Sequence, residues 1–205
     1  MIQGAIILLT IFTVTTIISI PLGILVAYIR LSKNKIAMAI TEFYIWIMRG
    51  TPLLLQMIFL YYGLPVLNNN LVFSPLVVAL VAFSLNYAAY YAEIFRSGFE
   101  SIDKGQFEAC HVLGFDKITM YKRIILPQVF KRVLPPVSNE IINLVKDTSL
   151  VYILGMNDLF KYATMVSNRD VTLMPFLYVG IIYLVMTAVL TKLLNMLEKK
   201  YSYYR

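Results

Sequence analysis

Residues 4–29, GAIILLTIFTVTTIISIPLGILVAYI, carry no charged side chain. A helix needs about 20 mostly apolar residues to cross the hydrocarbon core of a bilayer. This run is therefore read as a membrane span, kinked at Pro21 and Gly23, which membrane helices tolerate. A secretory leader would show a basic amino-terminal region and a shorter apolar core. Neither is present, so the helix is expected to be retained. Composition agrees: the chain is 60% hydrophobic and 14% charged, with a mean hydropathy of +0.74. A soluble domain is roughly half apolar and a quarter charged.

The second apolar block, residues 36–67, contains Glu42, Arg49 and the sequence Gly50–Thr51–Pro52. Glycine and proline together predict a break, giving an interfacial or tilted piece over 36–48 and a span over 51–65. A third span is expected over 72–94 and a fifth over 173–194. The fourth, 133–155, is the most polar and holds Asn139, Glu140, Asn143, Lys146 and Asp147. Basic residues fall on alternate connections. Arg30, Lys33 and Lys35 follow the first span. Arg96, Lys104, Lys117, Lys122, Arg123, Lys131 and Arg132 follow the third, and Lys199, Lys200 and Arg205 follow the fifth. By the positive-inside rule this predicts an all-α integral membrane protein of five helices, amino terminus outside and carboxy terminus cytoplasmic. No repeat or second domain is visible, so residues 1–205 read as one transmembrane domain. Trp46, Tyr61, Tyr62, Tyr201, Tyr203 and Tyr204 fit an interfacial aromatic belt.

The long connection, about 95–132, contains FEACHVLGF at 107–115, with the only cysteine and the only histidine. Asp103 and Gln106 resemble a capping box. A short helix over 104–113 follows, with Gly114 as its left-handed cap residue. Asp116 can cap a second helix from Lys117, which Pro127 interrupts. Phe107, Cys110 and Leu113 share a face at helical spacing. Adjacent residues on a helix point about 100° apart, so Cys110 and His111 poorly share one ion. No metal site and no catalytic group is assigned.

Glu108–Ala109–Cys110, three residues, Gly114, nine residues, Ile124, one residue and Leu126–Pro127 resemble the EAA loop of permease subunits of bacterial ATP-binding-cassette importers. The third letter departs, with Cys110 in place of alanine. RGTPLLLQ at 49–56, NYAAYYAEI at 86–94, LPPVSNE at 134–140 and KDTS at 146–149 resemble the polar amino-acid branch. The resemblance covers about 4–197. It implies a type I importer permease fold, with Phe107, Glu108, Ala109, Cys110, Leu113 and Gly114 in a coupling helix that docks on a cytoplasmic ATPase. It also implies two such ATPases holding ATP and Mg, a second permease copy or a homologous permease, an external solute-binding protein, and a place in the bacterial cytoplasmic membrane. The chain has no G-x-x-x-x-G-K-[ST] and no glycine followed by lysine, so it cannot form a P-loop itself. No cofactor is assigned to this chain, and it is not read as an enzyme.

Ionisable groups inside a span are costly and usually face a cavity or a partner. Glu140, Asn143 and Asp147 fall at i, i+3 and i+7, one face of a helix. With Gln56, Asn86 and Tyr90 they are candidate ligands of an amino acid, carboxylates and amides suiting its ammonium. The competing reading is an interhelical seam in which they bond to one another. Arg49, Gly50 and Pro52 are a candidate gate or hinge, against interfacial anchoring with Arg49 snorkelling. An importer of another small solute, and a self-contained transporter or channel, are the alternatives. Nucleic-acid binding has little support, the loop cations serving as topology signals and ATPase contacts.

Overall fold

The computed structural model describes residues 2–201, and every regular element among them is helical. In chain order the α-helices are α1 (Ile2–Arg30), α2 (Lys35–Gly50), α3 (Leu53–Ile58), α4 (Leu64–Leu67), α5 (Pro75–Glu100), α6 (Lys104–Val112), α7 (Lys117–Thr119), α8 (Leu126–Asp147), α9 (Leu159–Asp170) and α10 (Met174–Tyr201). A π-helical turn, Phe59–Gly63, joins α3 to α4. A second, Met120–Ile125, joins α7 to α8, and a 3₁₀ segment, Thr148–Leu154, continues α8. Tyr203, Tyr204 and Arg205 lie outside the described residues.

At the centre, α1 lies against α5. On α1, Thr15, Ser19, Gly23 and Ala27 recur every fourth residue and form one buried stripe. On α5, Ser84, Ala88 and Ala92 do the same. Small side chains at this period let two membrane helices approach closely. At Gly23 the approach leaves no room for a side chain. A Cβ there would lie 2.6 Å from Cβ of Tyr91 and 3.1 Å from the Ala88 carbonyl oxygen. Gly23 is thus a packing glycine. Helical structure runs unbroken past it and past Pro21.

The main core gathers Ile11, Met57, Phe83, Tyr87, Tyr91, Leu144 and Val151. It sets α3, α8 and the 3₁₀ segment around α5. A second cluster, Leu8, Leu159, Ala163 and Val179, joins α1, α9 and α10. A third, Ile102, Ile125, Val129 and Val133, fastens the end of α5 to the start of α8.

Among the described residues, three helices are long and apolar enough to cross a membrane: Gln3–Arg30, Pro75–Glu100 and Met174–Tyr201. Lys35–Gly50 and Leu53–Leu67, bent by 104°, count as a fourth if they form one span. The break falls where Gly50–Pro52 predicts it. At 1.5 Å per residue Leu53–Leu67 is only about 22 Å long, short of the roughly 30 Å core. The polar stretch 133–155 begins earlier than expected, inside α8. Pro127 does not interrupt it. The preceding π-turn widens the bonding so that Leu126 N–H reaches the Tyr121 carbonyl, and a proline without an N–H is accommodated there.

Gly23→Val should cost about 1–3 kcal/mol through overpacking. Thermal unfolding of the detergent-solubilised chain should show a lowered midpoint for Gly23→Val. Pro21→Ala, at an exposed position, should leave it nearly unchanged.

Candidate substrate path and coupling surface

The helix break has a specific chemical cost. In a continuous helix the Met48 carbonyl would accept from the N–H of residue 52, but residue 52 is proline and has none. Two side-chain amides replace that donor. Asn86 Nδ2 on α5 donates to the Met48 carbonyl at 2.8 Å, and Gln56 Nε2 on α3 donates to it at 3.0 Å. Asn86 also donates to Gln56 Oε1 at 3.1 Å, and Gln56 donates to Thr51 Oγ1 at 2.8 Å. Tyr44 Oη adds a bond from α2 to the Leu85 carbonyl at 2.5 Å. Asn86 is buried. Gln56 and Asn86, expected as possible substrate ligands, are therefore occupied in tying the α2–α3 break to α5. Gly50 sits at the break with no neighbour near a built Cβ.

The remaining candidates gather around α8. Tyr87 Oη donates to Asp147 Oδ2 at 2.7 Å. Glu140 lies near enough to Asp147 and Arg49 to feel the charge of each. Asn143 lies three residues on from Glu140 along α8. The Arg49 guanidinium lies 5.3 Å from the ring centroid of Tyr90, a cation–π distance. Glu140, Asn143 and Asp147 are each half-buried. The end of α2, the middle of α5 and the last turns of α8 thus converge. They bring one cation, two carboxylates and two tyrosines together. Tyr87 is the member that pattern reading passed over. Its signal was available: it sits between Asn86 and Tyr90 in a polar-aromatic run on an otherwise apolar helix.

In the long connection, Asp103 caps α6 by accepting from the Gly105 N–H at 2.6 Å. The reciprocal half of a capping box is replaced, because Gln106 Oε1 accepts from Gln128 Nε2 at 3.1 Å. The carboxy end is a Schellman motif. Phe115 N–H reaches the Cys110 carbonyl and Gly114 N–H the His111 carbonyl, with Gly114 at φ +71°. Asp116 caps α7, accepting from the Ile118 and Thr119 N–H groups at 3.0 and 3.2 Å. Bonding from the Thr119 hydroxyl and these N–H groups holds its carboxyl below the ordinary value.

The exposed face of α6 holds only part of the apolar trio read from spacing. Cys110 is buried at 2% exposure, and Phe107 packs on Phe99 and Tyr121. These two turn toward the chain's own core. Glu108, Ala109 and His111 are exposed, as are Val112 (87%), Leu113 (70%), Phe115 (39%) and Ile118 (71%). Of the apolar trio read from spacing, only Leu113 points outward. A nine-residue helix lying on a scaffold buries one side, and the more apolar side here goes inward.

Residues 19–203 match the family described as the binding-protein-dependent transport system inner membrane component. The chain belongs to that family. It is 34% identical over 200 residues to a putative glutamine transport system permease protein of Rickettsia bellii, covering 97% of this chain and 91% of that one. It is 38% identical over 199 residues to the arginine transport system permease protein of Bacillus subtilis, covering 97% and 90%. A crystal structure described as an amino acid ABC transporter with histidines superposes at a TM-score of 0.88 and 31% identity, covering 97% and 92%. The MetNI methionine transporter shares the fold at a TM-score of 0.73 and 14% identity, covering 97% and 93%. The chain is thus a multi-pass inner-membrane permease component, a transport subunit rather than an enzyme.

Asn86→Ala should leave the Met48 carbonyl with one amide donor fewer and destabilise the chain by about 1–3 kcal/mol, read as a lower unfolding midpoint in detergent. The Asp116 cap should respond to pH in one direction only. Its contribution is present above the unfolded-state pKa and is lost as pH falls through the depressed folded value. Amide protection over 117–121, corrected for intrinsic exchange, should stay flat between about pH 5 and 8. Asp116→Ala should lower it at every pH in that range.

Proposed function

We propose that this permease imports amino acids by alternating access driven by two separate ATP-binding-cassette ATPases, which bind ATP and Mg. The relatives named for glutamine and arginine and the amino acid transporter superposed above support that substrate class. The chain acts as one transmembrane domain, residues 1–205, paired with a second copy or a homologous permease and served by an external solute-binding protein. Its crossings are α1, the bent α2–α4 unit, α5, α8 with its 3₁₀ extension, and α10. The amino terminus is outside and the carboxy terminus cytoplasmic, as the alternation of basic connections supports.

One observation carries the mechanism. A helical run with no break extends from Lys117 to Leu154. It begins in the coupling loop and passes Glu140, Asn143 and Asp147. Ile125, Val129 and Val133 lock its lower part to Ile102 at the end of α5. An ATPase grasping the exposed Val112, Leu113, Phe115 and Ile118 would therefore pull on a stiff lever. Its upper end carries the carboxylates. Glu140 and Asp147 receive the substrate ammonium, with Asn143 and Tyr90 beside them, and Arg49 at the Gly50–Pro52 break serves as the gate. Gln56 and Asn86 hold that gate in place.

The test is uptake of radiolabelled arginine and glutamine by proteoliposomes holding the permease, its ATPase and its binding protein. Uptake should require ATP. Gly114→Val places a β-branched residue at φ +71°, where L-residues lose roughly 1–2 kcal/mol. It should leave the chain in the membrane and abolish coupled uptake. Glu140→Gln should reduce uptake while ATPase association persists. Equal uptake without ATP by the permease alone would overturn the importer reading.

A further inference from the structure

 Beside the coupling loop, where α6, the second π-turn and α8 meet, lies a cavity of about 530 Å³. The walls include Gln106, Arg123, Gln128, Lys131 and Arg132, with three cations and no carboxylate. Among the described residues, Arg123 and Lys131 make no ion pair. Arg132 donates to the Ser101 carbonyl, and Gln128 is spent on Gln106 and the Ile124 carbonyl. Two cations therefore face a cavity whose lining holds no carboxylate.

Lys131 also lines a neighbouring cavity of 290 Å³, between α8 and the end of α10. Its character is different. Leu134, Pro135 and Tyr201 supply apolar walls, while Lys199 and Glu198 stand at its polar side. The α10 cavity of 580 Å³ shares Asn195 and Lys199 with it and adds Leu184, Ala188 and Met196. The cationic pocket thus meets, at Lys131, a groove with apolar walls between α8 and the end of α10. A free anion needs only the pocket. A molecule with a phosphate at one end and hydrocarbon at the other matches both parts, and basic pockets beside membrane helices suit anionic headgroups.

We propose that Arg123, Lys131 and Arg132 seat the phosphodiester headgroup of an anionic phospholipid whose acyl chains lie in the Leu134–Pro135 groove against α10. The proposal rests on the chain being a membrane protein and not on which solute it carries.

The experiment is native mass spectrometry of the purified permease–ATPase complex, equilibrated with equal amounts of dioleoyl phosphatidylglycerol and dioleoyl phosphatidylcholine. The parent should retain phosphatidylglycerol preferentially. Arg123→Gln with Lys131→Gln removes two cations that form no ion pair within the chain, and should weaken that retention on the order of tenfold. Phosphatidylcholine retention should not change. Lys33→Gln with Lys35→Gln removes equal charge elsewhere and should leave both unchanged. Equal phosphatidylglycerol retention in the parent and the Arg123/Lys131 variant overturns the proposal. So does an equal loss in the Lys33/Lys35 variant, or saturation of the pocket by inorganic phosphate with no lipid preference. Crosslinking of Lys131 to a carboxylate of the ATPase would assign the pocket to that partner and also overturn it.

Discussion

The contact between α1 and α5 is the constraint on which the rest of the bundle depends. Lipid tails are as apolar as leucine, so burying hydrocarbon does not hold membrane helices together. Close packing and polar bonds must do so. The stripe Thr15, Ser19, Gly23 and Ala27 meets Ser84, Ala88 and Ala92, and at Gly23 the backbones come near enough to exclude a side chain. With α5 pinned there, its other faces are set. Asn86 is directed at the break in α2 and Tyr87 at Asp147.

That break shows how a membrane protein accommodates irregular backbone. Pro52 deprives the Met48 carbonyl of its helical donor, and a bare carbonyl in a low-dielectric interior is costly. Asn86 and Gln56 meet the need from two other elements, so local disruption becomes a tertiary tie. The polar residues within the bundle consequently divide by chemistry. The neutral amides are satisfied by backbone and by each other. The ionisable groups, Arg49, Glu140 and Asp147, are left to interact across the space between α2, α5 and α8.

Much of this was legible in the sequence, and the exceptions share a cause. The uncharged run at 4–29, the break at Gly50–Pro52, the Asp103 and Asp116 caps and the glycine cap at Gly114 are local, encoded within a few residues of where they act. A glycine two residues after a proline has a local reading as a kink, which says nothing of the close contact Gly23 makes. That contact depends on α5, some sixty residues away in sequence. The four-residue spacing of Thr15, Ser19, Gly23 and Ala27 was the available clue. Pro127 was likewise read locally, whereas the π-turn before it removes the conflict. Gln56 and Asn86 were correctly marked as unusual, but their partner is a backbone carbonyl that no side-chain pattern reveals.

Helix α6 illustrates the same limit on a smaller scale. Spacing alone places Phe107, Cys110 and Leu113 on one face, but cannot say whether that face meets a partner or the chain itself. The structure divides the trio. Phe107 and Cys110 are used to anchor α6 against Phe99, Tyr121 and the neighbouring core. Leu113 and the residues around the Schellman turn remain outside. The small side chain of Cys110 fits that inner role. It sits where α6 meets its own scaffold, so the departure from alanine at this position falls on the buried side of the helix rather than on its exposed face.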